Sequence, residues 1–110
     1  KARDEFADRW IEAATAKMLS YRVITIQNEG RVPNHEASIA KLFNTELSQR
    51  IARSAMKMIG TGAQLTGQNA PMRGRAAASY LQTVSSTIAG GTSEVQRNIV
   101  ATRGLGLPRA

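Results

Sequence analysis

Cysteine is absent from the 110-residue chain, which excludes disulfides and thiolate metal sites. A single histidine, His35, rules out a multi-histidine metal centre as well. Aromatic residues make up only 5%, so a core must be built from Ala, Ile, Leu, Val and Met. Three prolines and 42% hydrophobic residues are the composition of a globular helical chain rather than a disordered one. No apolar run approaches the roughly 20 residues needed to span a bilayer. Lys1 to Asp8 alternate in charge and lack the apolar segment of a signal peptide, so the expected location is cytoplasmic. Dense blocks of Lys and Arg are missing too. The formal net charge of +7 therefore reads as a solvated basic face. A nucleic-acid footprint would need clustered cations or stacking aromatics beside them, and neither is present.

What is present is helical periodicity. The spacing predicts an all-α antiparallel bundle with long helices near residues 3–29 and 36–59. In the first, Phe6, Trp10, Ala13, Tyr21 and Ile24 follow one stripe, and Ile11, Ala14, Met18, Leu19, Val23 and Ile26 widen it almost around the cylinder. Such a helix needs cover on more than one side. It is expected in the middle of a bundle or at a subunit contact, with an apolar strip left exposed by residues 30–110. Gly30 ends it, and Asn34 is the expected cap of the second, with Glu36 in the first turn. The second helix carries a clean apolar face of Ile39, Phe43, Leu47, Ile51, Ala55 and Met58. Its other side holds Glu46, Arg50, Arg53 and Lys57, with Glu46 and Arg50 spaced to pair one turn apart. His35, at the start of this helix, is read as an exposed or capping residue rather than a base.

Gly60 closes the second helix, and residues 61–74, with Gly62, Gly67, Pro71 and Gly74, read as a loop. A third helix is expected from Arg75 to Thr87, leading into Gly90-Gly91. Ser93 with Gln96 has the spacing of a capping box, Thr92 being the other possible cap. Val95, Ile99 and Val100 mark the apolar face of a short final helix, which Gly104, Gly106 and Pro108 end. A bare Gly-Gly turn lets backbone approach a ligand closely and presents free N–H groups to an anion or carbonyl.

The wording of this last quarter resembles the C-terminal signature of the acyl-CoA dehydrogenase family. Gly91-Thr-Ser93, Gln96-Arg97 and Arg103-Gly-Leu-Gly-Leu-Pro-Arg109 match the pattern, with Val95 a conservative replacement. Ala37 to Phe43, including Lys41, is similar to the family's Ala-x-x-Ala-Lys-Leu stretch at the start of a long bundle helix. The family's Gln-x-x-Gly-Gly-x-Gly segment reads here Lys57-Met-Ile-Gly60-Thr61-Gly62, so the likeness persists at Gly60 and fails at Lys57 and Thr61.

The resemblance implies that residues 1–110 are part of the C-terminal helical bundle of a longer flavoenzyme, inactive alone. It implies FAD as cofactor, shared across a subunit interface of a homo- or hetero-oligomer, with Gly60, Thr92 and Glu94 contacting it. It further implies an acyl-CoA substrate met by Gly90 and Gly91. In the family a carboxylate removes the α-proton of the thioester while the β-hydrogen leaves as hydride to the flavin. The family's commonest catalytic glutamate would fall at position 90, where this chain has glycine. Gly90 can still offer its N–H to the thioester carbonyl, but no residue of this chain is assigned as the base. Two sources of that base remain: an earlier bundle helix, as in isovaleryl-CoA dehydrogenase-like members, and a partner subunit, as in bacterial members acting on sterol side chains. The wording Gly-Gly-Thr-Ser-Glu-Val-Gln-Arg-Asn-Ile from Gly90 more closely resembles the second group. Three readings result: a dehydrogenase fragment, a non-catalytic partner subunit of the same fold, and, from a different class, a basic helical nucleic-acid-binding module.

Overall fold

The computed structural model describes residues 2–109. Helix α1 spans Ala2–Asn28 and α2 His35–Ile59. Two short 3-10 turns follow, Gly60–Gln64 and Pro71–Gly74, then α3, Arg75–Ser86. The last helix, α4, is Ser93–Ile99 and widens into a π turn at Val100–Gly104. Among the described residues there is no strand. The expected all-α architecture and both long helices are present, their bounds within two residues of the expectation. The segment expected as plain loop, residues 61–74, holds the two 3-10 turns instead. In the second, Met72 and Arg73 take left-handed backbone, with φ of 52° and 55°.

Hydrogen bonds explain how α1 stops. The N–H of Arg31 reaches the carbonyl of Ile26 at 3.1 Å, and that of Gly30 reaches Gln27 at 3.0 Å. The chain then turns back, and α2 lies against α1 on one side and against α3 and α4 on others. In this chain α2, not α1, is therefore the central helix. The molecule is elongated along it, about 49 × 27 × 26 Å.

Being gripped from several sides changes which residues of α2 are buried. Ser38, Ala40, Leu47, Ala52 and Ser54 are buried, whereas Ile51 and Met58 are exposed. Of the expected apolar face only Leu47 is fully inside, and Ile39, Phe43 and Ala55 are half-buried. The seams run along small side chains because helix axes approach closely only where side chains are short. The buried set accordingly consists largely of alanines (16, 40, 52, 63, 70 and 76), with Ile26 and Leu47 the large members.

The charged residues tie helices together rather than pairing along α2. Glu46 accepts from Arg97 of α4 at 2.6 Å, and Arg50 pairs at 3.1 Å with Glu12 of α1, which also meets Arg9 at 2.7 Å. The expected Glu46–Arg50 pair thus gives way to two interhelical ones. Each such pair near the surface contributes about 0.2–1 kcal/mol, so their role is more in register than in stability.

Helix α1 buries only Ala16 and Ile26. Phe6, Trp10, Ile11, Met18, Tyr21 and Ile24 are exposed, Trp10 to 78%, and Val23 is half-buried. At 100° per residue the six exposed side chains fall within about 140° of one another on the helix. The strip expected from sequence is there.

Candidate functional site

The site is assembled where α3 hands the chain to α4. Two N–H groups, of Ile88 and Ala89, converge on the carbonyl of Ser85 at 3.0 and 2.9 Å and close α3. Gly90 and Gly91 follow at φ of 70° and 100°, a backbone that side chains resist. Thr92 is then extended, with φ −63° and ψ 165°, and its hydroxyl accepts the N–H of Val95 at 3.3 Å. Thr92, the alternative cap, is therefore the one used. Ser93 already lies inside the helix, so the capping-box pairing with Gln96 does not form.

Gln96 serves the turn instead. Its buried side chain folds back so that Nε2 donates to the carbonyl of Gly90 at 2.9 Å. From α2, the Nζ of Lys41 donates to the carbonyl of Gly91 at 2.6 Å. A Cβ on Gly91 would lie 2.6 Å from Gln96 Nε2, so glycine there is what lets the amide close over the turn. Gly90 differs: a Cβ on it would meet nothing within 4 Å. It faces open space, with no carboxylate of its own.

Glu94 is exposed on the first turn of α4. Its own backbone N–H, and after it the Thr92 hydroxyl, hold its carboxyl below the usual range. An ionised, exposed carboxylate suits hydroxyl or amine donors and repels phosphate. The Thr92 hydroxyl accepts from Val95 and donates towards Glu94, so toward a ligand it offers its remaining lone pair.

Gly60 stands apart from these residues. It caps α2, its N–H bonded to Met56, and is exposed. Lys41, against the turn, lies near the opposite end of α2, and the 19-residue step from it to Gly60 spans about 28 Å of helix. One chain does not bring Gly60 together with Thr92 and Glu94.

His35 is half-buried, its Nε2 3.4 Å from Glu36, and its ring packs 3.3 Å from where a Cβ on Gly104 would be. Asn34 precedes α2 but makes no side-chain cap bond. Its Oδ1 instead accepts from Arg103 at 3.0 Å, fastening the tail to the start of α2. The sequence marked Lys41 only within a family stretch, and Gln96 only as a cap and as part of the family signature. Their bonds to the two glycines were not readable from spacing. Among the described residues no group of three or more His, Cys, Asp or Glu is placed to hold a metal. None of their helices is long and apolar enough to cross a membrane.

A bundle of antiparallel helices in which a long central helix steadies a Gly-Gly turn defines a class of all-α domain. The profile described as "Acyl-CoA dehydrogenase, C-terminal domain" matches residues 2–105, and the chain belongs to that family. Two curated relatives come from Mycobacterium tuberculosis. "Acyl-CoA dehydrogenase FadE26" is 45% identical over 78 residues, which is 68% of this chain and 19% of that protein. "Acyl-CoA dehydrogenase FadE34" is 30% identical over 97 residues, 88% of this chain and 13% of that one. The chain thus spans less than a fifth of the length of these two relatives. Of solved structures, the "ChsE4-ChsE5 complex from Mycobacterium tuberculosis" superimposes with a TM-score of 0.87 at 32% identity, over 99% of this chain and 29% of that one. The "Tcur3481-Tcur3483 steroid ACAD" shares the fold with a TM-score of 0.91 at 23% identity, over 99% and 29%.

Proposed function

We propose that this chain forms the C-terminal helical part of a longer FAD-dependent acyl-CoA dehydrogenase. That enzyme introduces a double bond between the α and β carbons of an acyl-CoA thioester, and its base comes from outside residues 2–109. The observation that carries this reading is the Gly-Gly turn. It is held from two sides, at 2.6 and 2.9 Å, yet its first residue, at the family's usual glutamate position, has no side chain. Gly90 contributes its N–H to polarise the thioester carbonyl, which makes the α-proton acidic enough for a carboxylate to remove.

When bound, FAD would supply the hydride acceptor for the β carbon. The residues present fit such a group in kind: Glu94 accepts from ribose or adenine donors, and Thr92 retains an acceptor lone pair. Gly60 leaves open space, with no atom within 4 Å of its would-be Cβ. Its distance from the turn along α2 favours a cofactor that meets Gly60 of one subunit and Thr92 and Glu94 of another. The two-protein ChsE4-ChsE5 complex supports a heteromeric assembly. The steroid-acting relative in fold directs the choice of substrate towards thioesters of sterol side chains. Gly90 equally favours a second role, that of a subunit that shapes the site of an active partner.

The test uses the full-length protein with its partner. A sterol side-chain acyl-CoA should bleach the flavin, and Thr92→Val and Glu94→Ala should lower the bound flavin. Replacing the true base, upstream or in the partner, should slow bleaching by roughly 10²–10⁴-fold. If Glu94→Gln alone abolishes bleaching while FAD stays bound, this chain carries the base and the reading is wrong.

A further inference from the structure

Two adjacent glycines are the least restrained dipeptide a chain can contain, since neither has a side chain to limit φ and ψ. A donor that polarises a substrate carbonyl works only if it is already in place before the charge develops. The Gly90-Gly91 turn therefore needs restraint from elsewhere, and the bonds from Gln96 and Lys41 supply it. Because each peptide unit is planar and trans, fixing a carbonyl also fixes the N–H of the next residue, pointing the opposite way. Gln96 on the carbonyl of Gly90 aims the N–H of Gly91, and Lys41 on the carbonyl of Gly91 aims that of Thr92. Both N–H groups then face away from α2 and from the Gln96 amide. The Cα of Gly90, at the edge of the first locked plane, is held with them, and the bonds of Ile88 and Ala89 to the Ser85 carbonyl hold the chain just before it, so the Gly90 N–H lies between two fixed segments.

We propose that Lys41 and Gln96 are positioning residues that lock the two peptide planes following the Gly90 Cα and so hold Gly90, whose N–H is the thioester-polarising donor, from its C-terminal side. The inference rests on the reading of this turn as the thioester site. The two clamps differ in kind. Lys41 is a charge-assisted donor from α2, 50 residues away, on a half-buried stem. Gln96 is a neutral, buried amide six residues away, which fits only because Gly91 has no Cβ. Lys41 thereby couples the turn to the long central helix, and Gln96 couples it to α4. Neither touches the reacting atoms.

The experiment compares wild type with Lys41→Met, Lys41→Arg and Gln96→Met in the full-length assembly. The readouts are kcat, KM, flavin content and the infrared carbonyl stretch of a bound, isotope-labelled acyl-CoA thioester. Wild type should lower the stretch on binding. Lys41→Met and Gln96→Met should raise it back toward its value in water and cut kcat by about 10²-fold, the order expected for a misplaced group near the chemistry. KM and flavin content should change less than about threefold, and Lys41→Arg, which keeps a cationic donor, should recover part of both losses. If wild type lowers the stretch and the variants lower it equally, the positioning role is overturned while the site stands. If wild type binds the thioester without lowering the stretch, or does not bind it, the reading of the turn itself fails. Thermal unfolding of each variant separates a folding defect from either result. Should Lys41→Met not fold, Lys41→Arg against Gln96→Met still decides, because only a positioning role makes the carbonyl stretch follow the donor.

Discussion

Placing a methyl group on Gly91 tests the turn's construction more sharply than any other single change. The new Cβ would sit 2.6 Å from Gln96 Nε2, and the backbone it must adopt has φ of 100°. The left-handed conformation costs a residue with a Cβ about 1–2 kcal/mol. Moving the Gln96 amide aside forfeits its bond to the Gly90 carbonyl, worth about 0.5–1.5 kcal/mol net. Gly91→Ala should therefore destabilise by about 1.5–3.5 kcal/mol. Gly90→Ala, with a φ of 70° but open space around its Cβ, carries only the conformational share, about 1–2 kcal/mol. A double-mutant cycle isolates the clash. With Gln96→Ala in the background, nothing remains for the methyl to strike, and Gly91→Ala should fall to the cost of Gly90→Ala. Denaturant unfolding of the full-length protein, followed by helix signal and flavin release together, supplies the four stabilities. Equal costs of Gly91→Ala in both backgrounds would refute the argument and reduce Gly91 to a purely conformational requirement.

Two further outcomes follow from the packing. Leu47 is the more buried of the two large core side chains, 4% exposed, and Leu47→Ala should cost about 2–5 kcal/mol in the same unfolding assay, with a value below 1 arguing against α2 as the hub. Glu5 accepts from Ser54 at 2.7 Å and from Lys57 at 3.0 Å, and these bonds, Ser54's first, hold its carboxyl below the usual range. A depressed folded-state value means that the contribution is fully present above the unfolded value and is lost as pH falls through the folded one. Ser54→Ala should thus be less stable than wild type near neutrality, and the two should converge as acidification carries the pH below the ordinary carboxylate range. A gap that stays constant with pH would sever the bond from the stability it is assigned.

The likeness to acyl-CoA dehydrogenases was legible because it is written in contiguous words, the Gly-Thr-Ser turn and the Arg-Gly-Leu-Gly-Leu-Pro-Arg tail. Helix positions were legible for a related reason. The bonds of a helix join residues four apart, so apolar period and stop signals near Gly30 and Gly60 are local information. The exposed strip on α1 followed from the same count, since its apolar positions take up more of the helix than α2, packed against it, covers.

Three features depended on the tertiary structure alone. The choice of Thr92 over Ser93 as cap turned on one extended residue, a matter of backbone angle that both side chains could have served. The ion pairs left α2 for α1 and α4 because a carboxylate pairs with whichever cation packing brings nearest, and periodicity sees only those on its own helix. The buried seam of α2 passed from its large side chains to Ala40, Ala52, Ser38 and Ser54, since three neighbours close on it at once. The site's clamps follow the same rule. That Gly90 lacks a side chain was plain in the sequence. That Lys41, 50 residues before Gly91, would hold its carbonyl was not, because such a bond is set by the crossing of α2 over the α3–α4 turn, a relation between elements that no single stretch encodes.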